Sequence, residues 1–404
     1  MDGEFRPATA RVLRDVESAL RRRRGQYFTP RAVRTRLLDL VRLRPRMKVL
    51  DPGAGTGEFL LDVLEREPTA RASGFEIDAS LARIARTEHG LAHVVRRDAL
   101  TTVPKPEFDL VIGNPPYFEV RATPSLRKRF AGVISGRPNV FAMFFQLSLA
   151  ALKPGGVLAF IVPPSMNNGA YFDALRRHIL AHAAIESLIV LDDATLFDGA
   201  QQAVQLLVLR TGPTSDRHVF HADLGRDEPT PLFLEHPEKL ARLLKGQRTI
   251  ADLDCTVRTG RCVWNRRRAD LRLRPEPGAV RLIWARDIGD GLEIGPATRN
   301  EARPAFVVEP TPDLGPAIVV NRITGAVGRG AIRAALVPEG MRFVAENHVN
   351  VIRADAGPVA LSTKYLGIVR GLRHARATSA VRALTGNTQL SATELAHLVP
   401  VTKA

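Results

Sequence analysis

The stretch FDLVIGNPPYFE, residues 108–119, indicates a buried strand that ends in a rigid loop. Residues 110–112, Leu-Val-Ile, form the short apolar run that is typical of such a strand. The prolines at 115–116 lack backbone donors and fix their φ angles, so the strand stops there and the loop is stiff. In open α/β sheets, ligands bind at this carboxyl edge of the strands. The loop therefore holds an amide, Asn114, and an aromatic ring, Tyr117, where adenine N6, cytosine N4 or a glutamine amide could bind.

A second motif, Asp-Pro-Gly-Ala-Gly-Thr-Gly at 51–57, joins a predicted strand at 48–51 to a predicted helix at 58–67. Its glycines let the backbone approach a ligand closely, and the helix N-terminus offers free N–H groups. Glu76 ends the next predicted strand, 25 residues after Asp51, about where a ribose-binding carboxylate lies in a βαβ unit. Because dinucleotide-binding proteins share this pattern, it indicates a nucleotide-like ligand without naming one.

Strands and helices alternate as far as about residue 212, which predicts an α/β fold built on a mostly parallel sheet. The predicted strands lie at 48–51, 72–78, 93–95, 108–112, 157–162, 185–191 and 203–209. The predicted helices lie at 8–24, 32–43, 58–67, 79–88, 139–152 and 171–182. We assign Phe141, Phe144 and Phe145 to the core and expect residues 153–156 to form a tight turn.

The charge favours a polyanionic partner. The formal net charge is +16 at pH 7 and the isoelectric point is about 10.8, which suits a protein that binds nucleic acid. From Lys245 onward there are 24 Lys and Arg against 14 Asp and Glu, so this half carries ten of the net positive charges. Arginines stand near Trp and Asn in it, and the candidate DNA contacts are Arg266, Arg267, Arg286 and Arg322. The alternative is an arginine-rich composition whose side chains face solvent.

Several other classes of protein are disfavoured. No run of 18 apolar residues could span a membrane, and the first ten residues, MDGEFRPATA, contain no apolar signal-peptide core. The spacing of Cys255 and Cys262 matches no zinc site. We therefore expect free thiols, no bound metal and a cytoplasmic location.

Together these motifs resemble the γ-class DNA adenine-N6 methyltransferases of restriction–modification systems, the TaqI-like group or N12 class. The matching elements, in order, are Phe28-Thr29-Pro30, the glycine loop at 51–57, Glu76, Asp98, Asn114-Pro115-Pro116-Tyr117 and a basic C-terminal half. The resemblance covers residues 25–210. It implies a Rossmann-like class I methyltransferase sheet followed by a C-terminal α+β target-recognition domain.

The domains expected from the resemblance are an N-terminal helix at 1–24, a methyltransferase domain at 25–212, a linker with short strands at 213–244 and a recognition domain at 245–404. The resemblance also implies two sets of site residues. The set that would hold S-adenosylmethionine comprises Thr29, Asp51, Gly53, Gly55, Gly57, Glu76 and Asp98. The set that would hold the target base comprises Asn114, Pro115, Tyr117 and Phe197.

Each role follows from the family pattern. Thr29 would hold the methionine carboxylate of the cofactor, Glu76 its ribose hydroxyls and Asp98 its adenine amino group. Asp51 stands where some members have Glu. In the target-base set, the Asn114 side-chain oxygen and the Pro115 carbonyl would accept from the target amino group, while Tyr117 and Phe197 would stack on the base.

The implied function is site-specific methylation of adenine N6 in double-stranded DNA by base flipping, by a monomer with a cognate restriction endonuclease as its partner. Two other enzymes share the loop motif, an RNA adenine methyltransferase and a protein glutamine-N5 methyltransferase. The glutamine enzymes usually carry their substrate-binding domain before the glycine loop, whereas here the additional residues follow it. A non-catalytic DNA-binding subunit that keeps the fold is a further alternative.

Overall fold

The computed structural model describes residues 4–16, 28–121, 123–136, 138–191, 203–212, 215–297, 304–323, 330–354, 358–384 and 389–402. The chain forms two compact units. The first unit contains Met1–Phe220 and Pro231–Glu235, and the second contains His221–Thr230 and His236–Ala404. Each unit has hydrophobic clusters of its own.

One seven-stranded sheet forms the first unit. Its strands are β1 Lys48–Asp51, β2 Arg71–Glu76, β3 Val94–Arg96, β4 Phe108–Gly113, β5 Leu152–Val162, β6 Ala183–Leu191 and β7 Val204–Thr211. The order is β3-β2-β1-β4-β5-β7-β6, with β7 antiparallel to β5 and β6 and the other pairs parallel. The predicted α/β fold with a Rossmann-like sheet is confirmed. The strand order reverses between β1 and β4, and this brings their carboxyl ends together where a ligand binds.

Helices cover both faces of this sheet. They are α1 Pro7–Asp15, α2 Arg31–Asp39, α3 Glu58–Arg66, α4 Ala79–Thr87, α5 Pro124–Arg129, α6 Val140–Ala151 and α7 Asp173–His182. Successive side chains of β4 point to opposite faces, so Val111 packs in one cluster with α6 and α7. Leu110 and Ile112 pack in the other cluster, with α2 and α3.

Local side-chain chemistry sets where two of these helices begin. The Asn139 side-chain oxygen accepts from the Phe141 N–H at 3.2 Å at the start of α6. The Asp78 carboxylate accepts from the Ser80 N–H at 2.9 Å at the start of α4. Both are N-caps, which satisfy a backbone donor that has no partner within the helix.

Several predicted elements differ from the structure; the helix predicted at 32–43, for example, ends at Asp39. The strand predicted at 157–162 begins earlier, at Leu152, because residues 153–156 form an irregularity within β5: the pairing jumps from Phe108–Leu152 to Leu110–Val157. The helix predicted at 8–24 ends at Asp15, and residues 17–27 lie outside the described part of the chain. The phenylalanines of α6 are buried as predicted.

The second unit combines two antiparallel-rich sheets with helices. Its strands are β10 Cys255–Thr259, β11 Leu271–Arg272, β12 Ala279–Ile283, β13 Phe306–Val308, β14 Asp313–Leu314, β15 Ala317–Asn321, β16 Ala334–Val337, β17 Arg342–Ala345 and β18 Val349–Ala354. Its helices are α8 Pro237–Leu244, α9 Pro358–Arg373, α10 Ala375–Leu384 and α11 Ala392–His397. One sheet has the order β10-β18-β15-β16 and the other β11-β13-β12-β17-β14. This is the α+β architecture expected of the C-terminal half.

The segment predicted as a linker, 213–244, contains regular structure. Two strands, β8 Val219–Ala222 and β9 Thr230–Phe233, pair with each other, and α8 follows them. Cys255 and Cys262 are buried free thiols. In the described ranges, no helix combines the length and the hydropathy needed to cross a membrane.

Candidate functional site

A cavity of about 590 Å³ opens at the carboxyl ends of β1, β2 and β4. Its volume lies in the range of pockets that enclose a cofactor-sized ligand. The predicted site residues that line it are Thr29, Asp51, Gly53, Gly55, Glu76, Asp98 and Asn114. Gly57, Pro115 and Tyr117 are sequence neighbours of lining residues, but they do not line the cavity themselves. Seven residues dispersed over the first 114 positions therefore converge on one cavity.

Glu76 and the glycine loop are joined directly. The Gly55 N–H donates to Oε2 of Glu76 at 2.8 Å, and the Asp78 N–H donates to Oε1 at 2.8 Å. Each carboxylate oxygen keeps a second lone pair, so the pair can still accept from two neighbouring hydroxyls. Burial raises the pKa of Glu76, and the charge of Asp78 acts in the same direction. The loop therefore presents a fixed carboxylate that is suited to a ribose.

Asp51 is the most buried carboxylate of the cavity wall, with 2% of its surface exposed. Its Oδ1 accepts from the Gly53 N–H at 2.9 Å. Burial raises the pKa of Asp51 to about 7, and the nearby Glu76 charge adds to the rise. A Cβ on Gly113 would lie 2.7 Å from Asp51 Oδ1, so glycine is required where β4 passes this carboxylate. Such a buried acid suits a cationic ligand, whose charge would favour the ionised form.

Thr29 and Asn114 form the junction between the two predicted sets of residues. The Asn114 Nδ2 donates to Thr29 Oγ1 at 3.1 Å. Thr29 is 5% exposed, and its backbone carbonyl accepts from the Arg34 guanidinium. The amide that is predicted to hold the target is thus anchored by the residue that is predicted to hold the cofactor carboxylate.

Tyr117 contacts the same amide from the other side. Its hydroxyl bonds Asn114 Oδ1 and lies 2.6 Å from the backbone oxygen of Ile161. The ring packs edge-on against Phe141, with centroids 6.1 Å apart and an angle of 89° between the planes. A hydroxyl has one proton, so it cannot donate to both oxygens at once. Asn114 Oδ1 has two lone pairs, so it can accept from a target amino group as well as from the tyrosine hydroxyl.

Asp98 follows β3 and caps a short 3-10 helix, Ala99–Thr101. Its Oδ1 accepts from the Leu100 N–H at 2.9 Å. A carboxylate has about four acceptor positions, so Asp98 keeps capacity for an exocyclic amino group in the cavity that it lines.

The sequence reasoning missed several lining residues, among them the apolar Ile77, Leu100 and Phe118 and two arginines, Arg34 and Arg97. Ile77 is 66% exposed although it directly follows Glu76 at the end of β2. Its position beside a predicted ligand-binding acid is a signal that could have identified it. Arg34 gave no such signal, because it looked like one more arginine of α2.

The remaining predicted residues are Phe197 and the four candidate DNA-contact arginines, which differ in their contacts. Phe197 lies outside the described residues. Arg267 bonds Glu309 at 2.7 Å and Asp270 at 2.9 Å, so its charge is used within the second unit. Arg322 donates to the Asn347 carbonyl at 3.1 Å, and Arg286 Nε lies 3.9 Å from Asp287. Arg266 is exposed.

The cavity fits S-adenosylmethionine on its own chemistry. Glu76 suits the ribose, Asp98 suits an adenine amino group, and the apolar side chains of Ile77 and Leu100 line the same cavity. The buried carboxylate of Asp51 suits the positive charge of a sulfonium and an ammonium group.

Comparison with known proteins finds methylases among the proteins that are similar to this chain. Residues 69–197 match a family model described as the Eco57I restriction-modification methylase. The modification methylase CviBIII of Paramecium bursaria Chlorella virus NC1A is 28% identical over 219 residues, 52% of this chain and 56% of that protein. The type II methyltransferase M.BsuBI of Bacillus subtilis is 24% identical over an alignment that covers 92% of this chain and 86% of that protein.

Among solved structures, a type I restriction-modification methyltransferase subunit from Streptococcus thermophilus has a TM-score of 0.40 and 21% identity, covering 54% of this chain and 52% of that chain. The chain spans roughly half the length of several curated relatives, from 41% to 61%. The family match begins before Glu76 and includes the whole Asn-Pro-Pro-Tyr loop. The resemblance to the methylases of restriction–modification systems, which the sequence motifs predict, is therefore confirmed.

Proposed function

We propose that this protein is a site-specific DNA methyltransferase that transfers a methyl group from S-adenosylmethionine to adenine N6 in double-stranded DNA. The observation that carries the proposal is the position of Asn114. Its amide lies at the end of the cavity that fits the methyl donor, and Thr29 anchors its nitrogen at 3.1 Å. An acceptor held at this edge suits an amino group that is attached to a planar ring.

The residues present suit the chemistry of an amino nitrogen. Bound S-adenosylmethionine supplies a methyl group activated by a sulfonium. The adenine amino nitrogen is a poor nucleophile because its lone pair is delocalised into the ring. Asn114 Oδ1 and the Pro115 carbonyl can accept its two N–H bonds, which favours a tetrahedral nitrogen and stabilises the positive charge that develops there. Acceptors of this kind contribute several kcal/mol, on the order of the effect of an oxyanion-hole donor.

No strong base is needed in this mechanism. The nitrogen–carbon bond forms as the sulfur–carbon bond breaks, and the amino group loses its proton to solvent after it has been methylated. Most of the remaining acceleration comes from positioning the two reactants in line. This agrees with a site whose polar groups are held by backbone N–H groups and by Thr29.

A base within a duplex cannot reach such a cavity, so we propose that the adenine is flipped out, at a cost of a few kcal/mol. Stacking on Tyr117 would return roughly 1–3 kcal/mol. Phe197 stays a proposal for the second stacking ring. The basic second unit would supply phosphate contacts for affinity and base contacts for the target sequence. We also propose that the enzyme acts as a monomer, with a restriction endonuclease as its cognate partner.

The test is transfer of a tritium-labelled methyl group from S-adenosylmethionine into three substrates offered separately: unmethylated double-stranded DNA of mixed sequence, RNA and a protein extract. We expect label in DNA with the native protein and a loss of at least about 100-fold for Asn114→Ala. Label in RNA, or on protein glutamine, would replace the DNA proposal with one of the other two enzymes that share the loop motif.

A further inference from the structure

Arg34 lies behind Thr29 in the wall of the cavity and is 1% exposed. All three nitrogens of its guanidinium are engaged. Nε lies 2.5 Å from Asp62 Oδ2, Nη2 lies 2.9 Å from Glu58 Oε2, and Nη1 donates to the Thr29 carbonyl. The planar fork of arginine can make these three contacts at once, and the single ammonium of lysine cannot reproduce the geometry.

A second arginine contacts the same two carboxylates. Arg6, just before α1, places Nη1 2.7 Å from Glu58 Oε2 and 3.0 Å from Asp62 Oδ1. Its backbone N–H also donates to Glu58 Oε1 at 3.0 Å. Arg6 also pairs with Glu65 at 2.6 Å, and Glu58 and Asp62 are only 6% and 5% exposed. Arg34 is therefore held in one position from three directions.

The same chain of bonds reaches the target-binding loop. Arg34 fixes the Thr29 carbonyl, and the Thr29 hydroxyl accepts from Asn114 Nδ2 at 3.1 Å. This bond ties the Asn114 amide to Thr29, and Oδ1 contacts the Tyr117 hydroxyl. An amide displaced from this position would not present Oδ1 to the target amino group. The position of the Asn114 amide thus depends on the position of Thr29.

We propose that Arg34 is a positioning residue for methyl transfer: by fixing the Thr29 carbonyl, it places the hydroxyl that holds the Asn114 amide in position. Arg6, Glu58 and Asp62 hold Arg34 in that position. The inference rests on the proposed function, because it assigns Arg34 a role in the same reaction. Misplacement by about 1 Å at a distance from the reacting atoms can cost roughly 100-fold in rate.

A double-mutant cycle tests this role. Single-turnover methylation of mixed-sequence DNA is measured at saturating labelled S-adenosylmethionine for the native protein, Arg34→Lys, Thr29→Val and the double variant. We expect Arg34→Lys to lower the rate roughly 10–100-fold in the native background and less than about 3-fold in the Thr29→Val background. Equal factors in both backgrounds would overturn the inference, because a merely structural arginine acts independently of the Thr29 hydroxyl.

The matched control is Arg36→Lys, on the same helix. Arg36 is exposed, so the rate should stay within about 2-fold of the native rate. A second test from the other side of the network is Arg6→Lys, whose native side chain is 18% exposed. It should lower the rate about 3–10-fold only when Thr29 is present. If Arg34→Lys does not fold, Arg6→Lys takes its place in the double-mutant cycle.

Calorimetric measurement of cofactor affinity distinguishes a failure of the proposed function from a failure of the role of Arg34. Native protein that binds S-adenosylmethionine but labels no DNA contradicts the proposed function. Native protein that labels DNA while the cycle shows equal factors contradicts only the role of Arg34. Arg34→Lys should also weaken cofactor binding several-fold, and Thr29→Val should remove most of that additional effect, since the same Thr29 position serves the cofactor carboxylate.

Discussion

Thr29 Oγ1 lies 3.1 Å from Asn114 Nδ2, although the two residues are 85 positions apart in the chain. This contact joins the element before the glycine loop to the loop that follows β4. It connects the proposed methyl-donor side of the cavity to the proposed target side through one hydrogen bond. The predictions that follow test the residues on either side of this bond and residues of the second unit.

Asn114→Ala should nearly abolish methyl transfer, because it removes the amide oxygen that would accept from the target amino group. We expect the rate to fall at least about 100-fold. DNA affinity, measured by fluorescence anisotropy, should change little because the proposed phosphate contacts belong to the second unit. An active Asn114→Ala variant would contradict the mechanism.

Tyr117 should respond differently to loss of its ring and loss of its hydroxyl. Tyr117→Ala removes the stacking surface and should lower catalysis roughly 10–100-fold with near-normal cofactor affinity. Tyr117→Phe keeps the ring and frees Asn114 Oδ1 from the hydroxyl. Because a hydrogen bond contributes about 1 kcal/mol net, we expect kcat/KM to be unchanged or up to about fivefold higher. Equal losses for both variants would exclude the stacking role.

Asp51 should make stability and cofactor affinity depend on pH. Its folded pKa of about 7 exceeds the ordinary value of 3.8, so the unfolded chain loses this proton near pH 4 while the folded chain keeps it to about pH 7. The contribution of Asp51 to the free energy of unfolding therefore falls as pH rises across this window. Affinity for the cationic cofactor should rise across pH 7, because the carboxylate then ionises.

The control for this pH dependence is Asp51→Asn, which cannot titrate. Chemical denaturation and calorimetric titration at pH 5, 6, 7 and 8 (roughly the window set by the raised pKa) measure the two quantities. The difference in the free energy of unfolding between the native protein and the variant should change most steeply with pH below pH 7. Parallel curves across the series would show that Asp51 is ionised throughout.

Gly57 is held in a left-handed conformation at the start of α3, with φ of +90°. A Cβ there would lie 2.1 Å from Leu91 Cδ1, so Gly57→Ala adds a clash to the backbone strain. We expect a loss of about 2–4 kcal/mol in the free energy of unfolding. Gly90→Ala, with φ of +70° and open space around its Cβ position, should lose only about 1–2 kcal/mol. Similar losses at both sites would show that the loop adjusts to the added methyl group.

Arg266 and Arg267 are neighbours with different expected roles. Arg267 pairs with Glu309 and Asp270, so Arg267→Ala should destabilise the second unit by about 1–3 kcal/mol. Arg266 is exposed, and Arg266→Ala should leave stability within about 0.5 kcal/mol while it weakens DNA binding. For Arg266→Ala, the slope of log affinity against log salt concentration should decrease by the equivalent of about one phosphate contact. The assignment fails if the two variants exchange these effects.

The sequence allowed the prediction of those elements whose local chemistry is sufficient. The β4 run and its diproline stop, the glycine loop and Glu76 all follow from spacing and backbone restriction, and the structure has β4 and Glu76 at the edge of one cavity. The bond between Thr29 and Asn114 could not be predicted, because it depends on how two distant segments pack. Arg34 was missed for the same reason, since its partners Glu58 and Asp62 lie on a different helix.

The second unit was less predictable from the sequence. Its strands are short, and many of them pair across long separations, such as β10 with β18. Local patterns do not determine such pairings. The arginine count predicted a basic surface, but it could not show that Arg267 is engaged by acidic partners within the unit.

The central claim is that Asn114 presents an acceptor to the amino group of adenine in DNA. The most direct measurement incubates unmethylated double-stranded DNA with the protein and labelled S-adenosylmethionine, digests the DNA to nucleosides and identifies the labelled one by chromatography and mass spectrometry. The account predicts N6-methyladenine, with no label when Asn114→Ala replaces the native protein. Label in N4-methylcytosine or 5-methylcytosine, or unlabelled DNA under conditions where the cofactor binds, would contradict it.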